Sequence, residues 1–290
     1  MSGIAIPSST KTSVRRTRKA FRSLDPLGMA AAFVVLIALV LAVIGPMLAP
    51  YAPDDINLSN AFVGPGGGHL LGFDSQGRDL WSRLLTGART SMVGPLIVVL
   101  LSTTFGIIGA LTLAWKEGRV DQVLSRFVDS MLAFPGLLLA ILVVAVFGVG
   151  LAAPVLALSI AYTPFFIRIL RGAALRERKL PYVEALTVQG SSALSINFRH
   201  ILPNLLPLVA AQSTINFGYA LVDLAALSYL GLGVQQPQSD WGAMVFTGQT
   251  GILQGYPAES LAAGACIVIV VCAFTILGQR IADRAGAGTL

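Results

Sequence analysis

The chain has 290 residues, of which 55% are hydrophobic and only 12% charged, with a mean hydropathy of +0.77. A soluble domain carries about 25% charged residues, so the composition excludes an ordinary water-soluble fold and points to a bilayer as solvent. Lys and Arg exceed Asp and Glu by 20 to 14, for a net charge of +6, whose meaning depends on where along the chain the cations fall.

Residues 1–24 are a polar tail carrying Lys11, Arg15, Arg16, Arg18, Lys19 and Arg22. Residues 27–49 then contain no charge, and about 20 such residues cross a bilayer. This run is too long for the roughly 7–15 apolar residues of a cleaved signal. Residues 25–50 therefore predict an uncleaved first transmembrane helix behind a cytoplasmic basic tail. Topology control is the simpler role for the tail, and contact with anionic lipid is the alternative.

Residues 51–90 are predicted to be extracytoplasmic. Gly72 and Gly77 have the spacing of a phosphate-binding loop, but Arg78 and Asp79 stand where such a loop needs Lys and a magnesium-binding hydroxyl. The segment also lies on the wrong side for ATP. Residues 80–88 alternate at helical spacing and predict a helix lying along the outer surface.

Residues 91–290 predict five more membrane helices. Residues 93–115 form one, with Pro95 tolerated in its first turn. The uncharged stretch 130–167 is long enough for two, joined near Gly148-Val149-Gly150 and Pro154. Residues 201–222, with Pro203 in the first turn, and residues 260–279 complete the set. Pro135 and Pro164 predict packing kinks. Segments 116–126 and 168–199 face the cytoplasm, and 226–259 lies outside. This arrangement puts 17 Lys and Arg inside against Arg78, Arg83 and Arg89 outside. That asymmetry specifies six helices with both termini cytoplasmic. The positive charge is a topology signal and implies no nucleic acid.

No catalytic constellation is legible. His69 and His200 fall at opposite membrane surfaces, and no His/Cys/carboxylate set has metal-ligand spacing. Cys266 and Cys272 lie six positions apart on one helix, roughly 9 Å along its axis, too far to pair. Within or beside the apolar runs stand Asp129 and Asp223, where an unpartnered carboxylate costs roughly 3 kcal/mol. Arg126, three residues before Asp129, predicts an ion pair. Asp223 has no local partner. It is the first candidate for a polar substrate pathway, with Asn216 and Tyr219.

The most informative stretch is 184–203, EALTVQGSSALSINFRHILP. Gly190, Ser191 and Ser192 predict two short helices. Tyr182, Ala185 and Leu186 give the first an apolar face beside Glu184. Ala193, Leu194, Ile196 and Phe198 do the same for the second. Such helices on the inner surface suit a lipid surface or the groove of a partner protein. The spacing resembles the EAA signature of permease subunits of bacterial ABC importers: Glu184-Ala185-Leu186, three residues, Gly190, nine residues, then His200-Ile201-Leu202-Pro203. Leu186 replaces the second alanine and His200 an isoleucine.

Three flanking stretches are similar to the dipeptide/oligopeptide/nickel branch of that family. Residues 72–92, GFDSQGRDLWSRLLTGARTSM, resemble its GTDxxGRDxxSRxxxGARxSL segment, with Phe73 for Thr. Residues 227–244, LSYLGLGVQQPQSDWGAM, resemble LSFLGLGxxPPxPxWGxM, with Gln236 for Pro. Residues 126–141, RFVDSMLAFPGLLLAI, and the FRHILPN stretch fit as well.

The resemblance extends over nearly all of the chain after residue 24, and the element order is that of a C-type subunit. It implies an all-α membrane protein with six transmembrane helices, a type I ABC importer permease core with an added N-terminal span. It also implies half of a heterodimeric pore for di- and oligopeptides, with nickel chelates or haem-like solutes as alternative cargo. The implied partners are a B-type permease subunit, two cytoplasmic ATPase subunits holding ATP and Mg, and an extracytoplasmic substrate-binding protein. No cofactor is implied on this chain. Residues 172–202 become a coupling segment whose ATPase contacts include Glu184, Ala185, Leu186, Gly190, Ser191 and Pro203. An ion-driven secondary transporter, the rival reading, needs more buried ionisable groups than Asp129 and Asp223.

Overall fold

A computed structural model describes residues 25–116, 119–284 and 286; the expectations for the tail, 1–24, lie outside them. The Asp25 carboxylate accepts the Gly28 N–H at 2.9 Å, and Pro26 presets the first turn of α1 (Pro26–Leu48). Helix α1 is apolar all round, as a lipid-facing span must be. Its buried stripe, Gly28, Ala31, Val35, Ala38, Ala42 and Gly45, is built almost wholly of small residues at alternating steps of three and four. Small side chains let the backbones approach closely.

Helix α2 (Leu80–Trp115) starts at Asp79, whose side chain accepts the Ser82 N–H at 2.8 Å. Its 36 residues extend about 54 Å, well beyond a hydrocarbon core of about 30 Å. The surface helix expected at 80–88 is therefore the outer end of the second span. Leu80, Leu84, Leu85 and Ala88 are buried against α1 and the outer loops instead of facing lipid, so no reason exists to bend away at Thr90.

The next span departs from expectation. Helices α3 (Arg119–Leu132) and α4 (Gly136–Phe147) meet at 81° across residues 133–135 and together make one broken span. Pro135 lacks an N–H and biases its predecessor away from helix, which accounts for the break. Helix α5 (Ala152–Arg178) passes through Pro164 without interruption and carries Arg168, Arg171, Arg176 and Arg178 on its inner end. Four cations expected in a loop thus continue a helix.

Two short helices, α6 (Pro181–Val188) and α7 (Ala193–Ile196), lead through a π-helical turn (Asn197–Ile201) into α8 (Leu202–Tyr229). Two short helices, α9 (Trp241–Thr247) and α10 (Gln249–Leu253), precede the last span, α11 (Ala258–Arg284). Among the described residues five helices are long and apolar enough to cross a membrane, and the broken pair makes six.

The principal interfaces are α2 with α5 and α8 with α11. At Gly106 the α2 backbone lies so close to the Phe166 side chain that any Cβ would collide with it. Phe217 and Phe274 stack at 4.0 Å between α8 and α11. Arg280 pairs with Asp25 at 3.1 Å, joining the inner ends of α11 and α1.

Candidate coupling segment and membrane cavity

Helix α6 ends in two reciprocal bonds, Gly190 N–H to Thr187 C=O and Ser191 N–H to Leu186 C=O, each 3.0 Å. These define a Schellman cap and require a left-handed residue after the helix. Gly190 supplies it at φ +82°, where open space surrounds the missing Cβ. The glycine is needed for its dihedral, since there is room for a side chain. Ser192 then caps α7 by accepting the Ser195 N–H at 3.3 Å, so Gly190, Ser191 and Ser192 divide the segment in two as expected.

The faces differ from expectation. Val183, Ile196 and Ile201 are the buried anchors; they join Leu111 and Ala114 of α2, Ala173 and Ala174 of α5, and Leu205 of α8 in one core. Tyr182 and Leu186 are half-buried against it, and Ala193 is half-buried. Ala185 and Phe198 are exposed, and Leu194 is 69% exposed. Burial selects the side that faces the spans and leaves the opposite apolar groups free. Glu184 and Val188, one turn apart on α6, are both exposed, Val188 at 83%. The result is an exposed surface with apolar groups and one carboxylate.

Four side chains brace this surface through contacts that the sequence did not show. Glu177, at the end of α5, accepts the Tyr182 hydroxyl at 2.9 Å and the Asn204 amide at 2.7 Å. It therefore ties α6 and the start of α8 to the same point. Burial, then the bond to Glu177, pushes the Tyr182 hydroxyl up to about 12, so it remains a donor at neutral pH. Arg178 donates to the Ala114 and Trp115 carbonyls at 2.6 and 3.2 Å and lies over the Trp115 ring, fastening α5 to the inner end of α2.

A second feature lies within the membrane. The α3–α4 break, α5 and α8 line an open cavity of about 490 Å³. Its walls include Phe134, Pro135, Leu158 and Phe165, and its polar groups are Tyr162, Asn216, Tyr219 and Asp223. Asp223 does have a partner, the Tyr162 hydroxyl at 2.8 Å. It lies 61 positions away, which sequence proximity could not reveal. Asp129 is exposed and makes no pair with Arg126; the ion pair of this region is Arg171 with Asp121, at 2.9 and 2.5 Å, joining α5 to α3.

The 72–92 stretch organises the outer loops. Asp74 holds the buried Arg78 at 2.6 Å and faces Arg83 at 3.6 Å, while Arg83 reaches the Pro53 carbonyl at 3.1 Å. Asp240 accepts the Ser91 hydroxyl at 2.9 Å and caps α9, and the Trp241 indole donates to the Leu84 carbonyl at 3.0 Å. Burial raises the Asp240 carboxyl above the usual range, opposed by the bonds it accepts from Ala243 and Ser91.

Residues 102–285 match the binding-protein-dependent transport system inner membrane component family, and residues 14–65 match the N-terminal transmembrane domain of oligopeptide transport permease C. The chain belongs to this family of ABC importer permeases, and more closely to its C-type dipeptide/oligopeptide members. It is 34% identical over 260 residues to the probable D,D-dipeptide transport system permease protein DdpC of Escherichia coli (strain K12), covering 89% of this chain and 87% of that one. It is 35% identical over 283 residues to the dipeptide transport system permease protein DppC of Alkalihalophilus pseudofirmus, covering 96% and 91%. The glutathione transport system permease protein GsiD of Pectobacterium atrosepticum is 35% identical over 258 residues, covering 89% and 85%. Among solved structures, an inward-facing MetNI methionine ABC transporter superposes with a TM-score of 0.58 at 19% identity, covering 70% of this chain and 96% of that one. This likeness establishes the fold.

Proposed function

We propose that the chain is the C-type half of a heterodimeric pore that imports di- and oligopeptides across a bacterial inner membrane, with both termini cytoplasmic. A B-type permease subunit forms the other half. Two cytoplasmic ATPase subunits carry ATP and Mg, and an extracytoplasmic binding protein delivers cargo to the outer loops. Peptide cargo rests on the relatives named for dipeptides and glutathione.

One observation carries the coupling role. The exposed surface of Glu184, Ala185 and Val188 sits on a short helix clamped through Glu177 to both α5 and α8. A push on α6 is thereby transmitted to two spans together, and Leu186, Gly190, Ser191 and Pro203 fix the geometry of the lever. ATP binding closes the ATPases and selects one pore conformation over the other by differential affinity.

In the assembled transporter Glu184→Lys is expected to lower import and cargo-stimulated ATP hydrolysis at least fivefold, while insertion of the chain into membranes stays normal. Mild-detergent purification of the tagged wild type should recover a second permease and ATPases, and the variant should lose the ATPases. Unchanged import by the variant refutes the coupling assignment.

A further inference from the structure

The membrane cavity holds a polar pair that the coupling mechanism does not use. Asp223 is the only acidic or basic residue in its lining, and the walls around it are largely apolar. Its Oδ2 accepts the Tyr162 hydroxyl at 2.8 Å, and no cation of the described residues neutralises it. A carboxylate kept in an apolar setting without a counter-ion attracts a cation strongly, because little solvent competes.

Asn216 lies seven residues earlier on α8, about two turns or roughly 10 Å along the axis and close to the same face. Its side chain is almost wholly buried, at 1% exposure, and it lines the same cavity. Gln212 donates to its Oδ1 at 3.4 Å, while its amide nitrogen has no partner. A buried, unsatisfied donor is costly and signals a missing acceptor. The wall of this cavity therefore carries the Asp223 carboxyl group, with the Asn216 amide nitrogen sealed behind it.

We infer that this cavity is a transit site for the peptide main chain, with Asp223 receiving the α-ammonium group. The inference rests on the peptide-import reading and adds a chemical selection to it. Phe134, Pro135, Leu158 and Phe165 contact the peptide side chains without hydrogen-bond demands, so the site reads the free amino terminus and tolerates varied sequences. Tyr162 is a positioning residue that orients the carboxylate.

The test uses the complete transporter with its native partner subunits and binding protein in proteoliposomes, with initial uptake of radiolabelled dialanine and trialanine as the readout. Asp223→Asn, which keeps a hydrogen-bond acceptor for Tyr162 but removes the charge, is expected to lower uptake at least tenfold. Asp223→Glu restores most of it, and Tyr162→Phe, which keeps the charge, costs less than Asp223→Asn. Size-exclusion profiles of the variants identify any that fail to assemble, and Asp223→Glu keeps the test decisive if Asp223→Asn is among them. Wild-type uptake of neither peptide would overturn the peptide reading and this site with it. Wild-type uptake with an equally active Asp223→Asn would overturn the ammonium site alone. A Tyr162→Phe loss as large as that of Asp223→Asn would mark the pair as structural and also overturn it.

Discussion

Gly190 carries a requirement that a single substitution can test. An alanine at φ +82° meets no neighbouring atom, yet the left-handed conformation costs an L-residue about 1–2 kcal/mol. Gly190→Ala is expected to fray the last turn of α6, lower coupled import severalfold and raise hydrogen exchange at residues 184–191. Gly190→Asn, which visits that region more readily, should be milder. Equal activity of the two would mean that the cap does not matter to coupling. This glycine was legible because its spacing from Glu184 is part of a signature. Glu177, Tyr182 and Asn204 were not, because their meeting depends on where three elements end in space.

At the scale of elements, close approach of backbones decides which helices pair. Gly106 allows α2 to lie against Phe166 of α5 with no side chain between them. Gly106→Val overpacks that contact and is expected to cost about 1–3 kcal/mol, seen as a lower unfolding temperature of the purified chain and poorer recovery from membranes. A variant of wild-type stability would show that the two helices separate freely there. Charge-free runs located the unbroken spans, but they missed the charged first half of the broken one, α3, and could not locate helix ends. Helix α2 continues through Thr90 because protein covers its outer half, and α5 continues through four cations because its inner end lies at the polar boundary. Pro135 and Pro164 look alike in the sequence; only the first breaks a span.

For the whole molecule, the orientation can be read by labelling. With Cys266 and Cys272 replaced by alanine, Leu253→Cys is expected to react with an impermeant maleimide in intact cells. Val188→Cys should react only after the membrane is opened. Both positions are highly exposed on this chain, at 84% and 83%, and with the ATPase subunits stripped from the opened membranes before labelling, failure to react would reflect sidedness and not burial. The reverse pattern would invert the proposed topology and move α6 and α7 away from the ATPases.

The sequence by itself determined the solvent, the number of spans and the family, and it singled out the segment proposed for coupling. These follow from local quantities: run length without charge, the sidedness of Lys and Arg, and fixed spacings. Tertiary structure alone decided which apolar groups of that segment are anchors and which are free, that Asp223 meets Tyr162, and that Asn216 keeps an unsatisfied amide. Those features depend on contacts between helices far apart in the chain, and no periodicity or composition encodes which face of a helix its neighbours will cover.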